Sequence, residues 1–315
     1  MRKARIIKSI GGLYELIDLD SNDVIVARPS GKLRNVKLTE DSSFLKQTTK
    51  KTKLEKTTMQ ISPKVGDFVS YDETDENHPI QEIFERRNEL YRPDVANVDQ
   101  VLLIFAAKNP TFSFMLLDQF LVLIEQANIT PVLIVTKIDL VTNEELDLLK
   151  EKLSYYNKIG YTIHYVNSKQ KIGFDVLEDL FVDKVSVLAG QTGAGKSTFL
   201  NALMPNLELK TQEISKALGR GKHTTRHSEL FLFGGGLIAD TPGFSKLELK
   251  FYDKSDLKEF FIEFREQNDL CRFKNKCDHI HEPGCYFKTP GVMLDSRYEN
   301  YQKLYEEIKQ QKEKY

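Results

Sequence analysis

Residues 190–198 read GQTGAGKST, and residues 136–139 read TKID. The first fits G-x-x-x-x-G-K-[ST], with Gly190, Gly195, Lys196 and Ser197 in register. A strand-like run at 184–189 precedes it and a helix-like run follows from about Gly195, which is the setting the motif needs. Glycines at 190, 193 and 195 let the backbone of Gln191, Thr192 and Ala194 wrap a phosphate chain and aim N–H groups at it. The helix N-terminus, with Lys196, Ser197 and Thr198 in its first turn, adds to that field. Lys196 is then the group for the β- and γ-phosphates, and Ser197 a ligand of the accompanying Mg²⁺. TKID closes the apolar run PVLIV (131–135). Placed after a strand, the Asp139 carboxylate accepts from both the N1–H and the 2-amino group of a guanine, donors that adenine does not offer in that arrangement. Lys137 lies along the base, and Ile138 completes the loop. Thr136 stands where Asn is usual, exchanging an amide for a hydroxyl. Ser168, in VNSK after the next strand, is a backbone-assisted contact to the base oxygen.

The order is unusual, because the base reader comes before the phosphate loop. Asp240-Thr-Pro-Gly243 follows the strand-like GLIAD, so Asp240 is expected to reach the metal through water and the Gly243 N–H to lie near the γ-phosphate. Upstream, GRGKHTT (219–225) is basic and ends in Thr224 and Thr225, either of which can complete the Mg²⁺ shell, with Thr225 taken as the ligand; a plain surface loop is the other reading. The elements therefore run base, base, phosphate, switch one, switch two. This is the order of a circularly permuted GTPase, a rearrangement tolerated because domain termini lie close together at the surface.

Around this centre the chain changes character twice. Residues 1–72 hold short strand-like runs (ARIIKSI, LYELIDL, VIVARP, VGDFVSYD) separated by Gly11-Gly12, Asn22-Asp23 and Ser30-Gly31. Such spacing without helices predicts a small OB-like β-barrel. LKQTTKKTKLEKTT (45–58) reads as a loop of that barrel, and 82–93 as a charged connector. From residue 98 strands and helices alternate, as in a doubly wound α/β sheet: 101–107 is a continuous apolar run, and Thr142 with Glu145 makes a capping box. After about 250 a third, mostly helical segment ends in a helix whose Tyr298, Tyr301, Leu304, Tyr305 and Ile308 share a face. The expected division is 1–81 OB-fold RNA-binding domain, 82–97 linker, 98–248 permuted P-loop GTPase domain and 249–315 zinc-binding domain.

All three cysteines lie between 271 and 285, too few for a disulfide framework. Cys271, Cys277, His279 and Cys285 form a Cys₃His set suited to one structural Zn²⁺, which would supply folding energy to a segment with little core. His281 competes for the fourth position, and His279 is preferred for its nearness to Cys277. The net charge is −1, yet residues 1–60 carry 13 Lys/Arg against 7 Asp/Glu, so that end suits a polyanion. No apolar run reaches the ~18 residues that span a bilayer, and no signal peptide is legible, so a cytoplasmic protein without a membrane partner is expected.

Together these residues resemble the ribosome small-subunit-dependent GTPase A family (RsgA/YjeQ/YloQ), over essentially the whole chain: barrel, TKID, GQTGAGKST, GKHTT, DTPG and C…C-x-H…EPGC. The resemblance implies a bacterial cytoplasmic GTPase of late small-subunit assembly, stimulated by the 30S subunit and touching 16S rRNA through its barrel and zinc domain. A monomer is expected. The catalytic set is Lys196, Thr225 and His223. Phe244 occupies the place after D-x-x-G where many GTPases carry a water-orienting Gln, and both the switch segment and the resemblance point to His223 instead. Two other functions compete: an RNA-binding module whose GTP is structural and not hydrolysed, and a small-molecule P-loop kinase, in which TKID and the cysteines would have no role.

Overall fold

The structure is a computed structural model, and it describes residues 1–34, 36–37, 58–59, 61–91, 93–205, 229–240 and 254–312. Residues 45–57 of the Lys/Thr-rich stretch, the whole GRGKHTT segment and Gly243 fall outside them. The chain forms two compact units. The first comprises Met1–Gln100, Val176–Leu188 and Asn206–Gly243, the second Val101–Asp175, Ala189–Pro205 and Phe244–Tyr315.

The first unit begins with β1 (Arg2–Ile10), β2 (Leu13–Asp18) and β3 (Val24–Ala27), and continues with β4 (Val36–Lys37), β5 (Thr58–Met59), β6 (Phe68–Tyr71) and β7 (Ile80–Ile83). Their sheet order is β3-β2-β1-β6-β7. Past β3, Ser30 N donates to Ile80 O and Ile80 N to Arg28 O, so β7 also meets the other end of the sheet. The period-two pattern of β1 decides its faces: Ala4, Ile6 and Lys8 turn inward. Lys8 tolerates that position because Glu229 receives its ammonium at 2.8 Å. The linker expected at 82–97, with its charged connector at 82–93, contains paired strands: β8 (Glu89–Tyr91) pairs with β9 (Asp94–Ala96). Glu82, Glu85 and Arg87 stay exposed, but Arg86 is turned inward, its guanidinium gripping both Asp67 oxygens at 2.7 Å and Glu89 at 2.7 Å. Charge counting had no way to see that these partners are close in space.

The second unit holds most of β10 (Gln100–Ala106), with β11 (Thr130–Thr136) and β12 (Thr162–Tyr165) beside it; β11 and β12 run parallel. All seven residues of β10 are buried, as a central strand requires. β13 (Val185–Gly190) leads into the phosphate loop, and within the first unit its start pairs in parallel with β15 (Gly236–Asp240), itself paired to β14 (Glu229–Phe233). Helix α1 (Phe114–Gln126) is capped by Ser113, and α2 (Asn143–Lys158) by the Thr142–Glu145 capping box read from sequence. The chain continues through α3 (Lys196–Leu203), α4 (Ile262–Gln267) and a string of 3₁₀ turns to α5 (Asp295–Lys312). Tyr301, Leu304, Tyr305 and Ile308 bury their shared face against Phe261, Phe264, Phe287 and Val122 of α1.

At the meeting of α1, α2, α4 and α5 lies a buried ion cluster. Arg297 donates to Asp118 Oδ1 at 2.5 Å and to both Glu263 oxygens at 2.6 and 3.1 Å. Tyr156 and Asn300 donate to Asp118, and Tyr155 to Glu263. Burial alone would lower the Arg297 pKa, but the two carboxylates outweigh it, so the guanidinium remains charged. Arg297→Ala leaves two acids buried without their cation and is expected to destabilise this unit by about 3–5 kcal/mol in urea unfolding. Arg297→Lys is expected to recover only part of that loss, since one ammonium cannot serve both carboxylates in the forked geometry.

Candidate functional site

β11 delivers Thr136 to the floor of a pocket of about 260 Å³. The chain then reverses. Lys137 takes a left-handed conformation (φ +57°), and Ile138–Leu140 forms a 3₁₀ turn closed by Leu140 N donating to Lys137 O at 3.0 Å. This turn carries Asp139 to the pocket rim with its carboxylate exposed. The Lys137 ammonium donates to Gly193 O at 2.7 Å and to Asn109 O. Two consecutive residues of TKID thus hold the phosphate loop, because the Thr136 hydroxyl lies 2.5 Å from Ala194 O.

The phosphate loop is shaped by two glycines in particular. A Cβ on Gly190 would sit 2.1 Å from Ile104 O, so any other residue there would drive β13 off its neighbour. Gly195, at φ +92°, turns the chain into α3 in a conformation that disfavours side chains. Between them Gln191 N donates to Ile104 O, Ala194 N to Gln191 O, and the Lys196 ammonium to Gly190 O and Gln191 O at 2.9 and 3.0 Å. Burial lowers the pKa of Lys196. Ser197 and Thr198 follow in the first turn of α3, and Thr198 lines the pocket.

The third wall is the loop after β12. Asn167 exchanges both backbone hydrogen bonds with Ile172, and its Oδ1 accepts from Lys169 N and Gln170 N. Ser168 is held at the pocket with its Oγ buried and, among the described residues, without a partner. The pocket therefore gathers Thr136, Lys137, Asp139, Ser168, Gly195 and Thr198 from distant stretches of sequence. Sequence reasoning missed Leu140, Asn167 and Lys169 on its wall, and the backbone acceptors Asn109 and, for the Gln191 amide, Thr111. The one available signal was Asn directly before Ser after a strand, a turn-forming pair. Asp240 ends β15. His223, Thr225 and Gly243 lie outside the described residues.

The second cluster is metal-like. One ligand atom from each of Cys271, Cys277, His279 and Cys285 lies within 4.8 Å of the others, and all four residues are buried. Cys271 Sγ and Cys285 Sγ are 4.0 Å apart, and each is 3.5 Å from His279 Nδ1. Tetrahedral ligands about 2.3 Å from an ion are themselves roughly 3.8 Å apart, so the cage fits a metal ion. His281 is exposed. Burial, with the neighbouring thiols adding to it, raises the Cys277 pKa to about 12, while burial lowers that of His279 to about 4. Tyr298 and Tyr301 of α5 donate to His279 O and Asp278 O, tying the cage to the helix that carries Arg297.

Residues 83–250 match the RsgA GTPase family. The chain belongs to that family. It is 45% identical over 315 residues, covering 99% of this chain and 98% of the other, to a protein of Phytoplasma mali (strain AT) named small ribosomal subunit biogenesis GTPase RsgA. Among solved structures it resembles YloQ, described as a circularly permuted GTPase, with a TM-score of 0.79 and 36% identity over 99% of this chain and 96% of that one. YjeQ from Thermotoga maritima follows at a TM-score of 0.77 and 31% identity, over 98% of each chain.

Because burial raises the Cys277 and Cys285 pKa values, metal uptake by the cage must expel protons, and affinity is expected to rise with pH. Titrating a divalent soft metal into chelator-treated protein in weak buffer should release acid, and Cys277→Ala should abolish the release. The same substitution should raise hydrogen exchange along α5, whose Tyr298 and Tyr301 lose their anchored acceptors.

Proposed function

We propose that this chain is a GTPase that acts on the small ribosomal subunit in its late maturation, hydrolysing GTP to GDP and phosphate when the 30S subunit stimulates it. One observation carries the reading: the loop bearing Asp139 and the loop bearing Lys196 meet around one pocket, although 50 residues separate TKID from GQTGAGKST in the chain. GTP hydrolase activity follows from membership of the RsgA GTPase family, and a role in small-subunit biogenesis from relatives of that name that span the chain.

In this reading Asp139 takes the guanine N1–H and 2-amino group, Lys137 and Ile138 line the base, and Ser168 meets the base oxygen. Gly190 to Gly195 offer backbone N–H groups to the phosphates, with Lys196 on the β- and γ-phosphates. Mg²⁺ accompanies GTP, with Ser197 and Thr225 as ligands, Asp240 acting through water and the Gly243 N–H near the γ-phosphate. His223 orients or deprotonates the attacking water. The Cys₃His cage holds one Zn²⁺, which would pin the turns around residues 271–287 to α5. Residues 1–81 serve as an OB-like barrel whose basic surface meets 16S rRNA, 82–97 join it to the GTPase domain of 98–248, and 249–315 form the zinc domain. The protein acts as a monomer in the cytoplasm; among the described residues no helix is long and apolar enough to cross a membrane.

Phosphate release from GTP, measured with and without purified 30S subunits, tests the whole proposal: hydrolysis alone should be slow, on the order of 10⁻⁴–10⁻³ s⁻¹, and 30S should accelerate it. His223→Ala should remove the acceleration while leaving GTP-dependent 30S binding; a mutant as fast as the stimulated wild type would exclude His223. Asp139→Asn turns an acceptor into a donor, so GTP binding should weaken and XTP binding appear. An unchanged GTP affinity would take TKID out of the site.

A further inference from the structure

The first residue of TKID is buried against the phosphate loop. Thr136 is 1% exposed. Its hydroxyl carries one proton, and two main-chain carbonyls lie within reach: Ala194 O at 2.5 Å and Phe105 O at 3.2 Å. The shorter contact takes the proton. Ala194 belongs to the phosphate loop, so the nearest group that Thr136 serves is in the phosphate cradle.

A carbonyl held from one side fixes more than itself. The peptide joining Ala194 to Gly195 is planar and trans, so its C=O and the Gly195 N–H point in opposite directions. Anchoring Ala194 O on Thr136 therefore turns the Gly195 N–H to the face away from Thr136. Gly195 has no side chain to resist rotation, and its φ of +92° lies in a region that glycine enters readily and other residues rarely do. A peptide between a glycine and an alanine has little else to hold it. The preceding peptide is held in the same manner, by the Lys137 ammonium on Gly193 O, while Ala194 N is committed to Gln191 O. Among the described residues, the hydrogen bond to the Ala194–Gly195 peptide comes from Thr136.

We propose that Thr136 is a positioning residue for phosphate binding: its hydroxyl locks the Ala194–Gly195 peptide so that the Gly195 N–H is presented to the nucleotide's phosphates, while base selection rests with Asp139. The proposal depends on this pocket being the nucleotide site. It gives the threonine in place of asparagine a physical sense, because one hydroxyl donor is all that this carbonyl needs. Asn would have to fit a longer amide with a second donor into the same buried space.

The test is nucleotide affinity of the full chain for GDP, IDP and ADP, with Thr136→Val and Thr136→Ser. Val keeps the shape and loses the proton; Ser keeps the proton and loses a methyl. Val is expected to weaken GDP binding about tenfold, the worth of one aligned hydrogen bond to a charged group. The ratio of GDP to IDP affinity, which reports reading of the 2-amino group, should stay at the wild-type value in Val, and Ser should restore GDP binding. Melting without nucleotide checks that Val folds; should it fail, Thr136→Ala replaces it in the same comparison. Unchanged GDP binding by the hydroxyl-free variant overturns the proposal. So does a collapse of the GDP-to-IDP ratio, which would make Thr136 a base reader, or a Ser variant as weak as Val, which would make the methyl packing decisive. A wild-type protein with no preference for GDP over ADP would instead sink the nucleotide reading itself.

Discussion

The pocket that gathers Thr136, Asp139 and Gly195 rests on two carbonyls that the glycine-rich loop 190–195 does not hold by itself. Gly193 O and Ala194 O are gripped by Lys137 and Thr136, side chains that arrive from the end of β11. A loop rich in glycine has many accessible conformations, and folding it into one costs backbone entropy. Hydrogen bonds from a rigid strand end offset that cost and choose the conformation. The TKID turn and the glycine-rich loop are thereby one mechanical object. That matters in a chain where the usual order of these parts is reversed, because their joining does not depend on which comes first along the backbone.

The same logic recurs where charge is buried. Arg297, Arg86 and Lys8 are all nearly inaccessible, and each meets carboxylates from other segments. Burying an ion costs several kcal/mol even after relaxation, so such groups add little net stability; their value lies in the penalty for any arrangement that leaves them unpaired. Arg297 ties the C-terminal segment to α1 and α2 with a geometry that a greasy contact would not specify. The aromatic rings of Tyr156 and Phe261, with centroids 5.1 and 4.8 Å from its guanidinium carbon, complete that housing. From Arg297 one turn of α5 leads to Tyr298 and Tyr301, and from these to the backbone of the thiol cage. A metal bound there would therefore be bonded, through one helix, to the packing of α1 and α2.

Several features could be read without any structure. The motif order by itself announced a permuted GTPase, because a phosphate loop and a guanine reader are local patterns whose residue types are dictated by the ligand. The Thr142–Glu145 capping box, the buried strand at β10 and the packing stripe of α5 are equally local: a cap spans four residues, a strand repeats every two, a helix face every three or four. Cysteine spacing was enough to nominate the cage, and His279, the nearer histidine, is the one brought into it.

What only the tertiary structure decided is where polar side chains find partners across long stretches of chain. Residues 82–93 look like a charged connector by composition, yet Arg86 turns inward because Asp67 waits there. Asp118 sits on the buried face of an apolar helix, and nothing within α1 explains it; its reason is Arg297, 179 residues away. Thr136 stands where Asn is usual, and its buried hydroxyl faces a carbonyl 58 residues on. Local patterns record what a residue does to its own helix, strand or turn. A buried hydrogen bond between distant segments leaves no periodic trace, since it needs only one donor and one acceptor at one point in space, and that point exists only once the chain has folded.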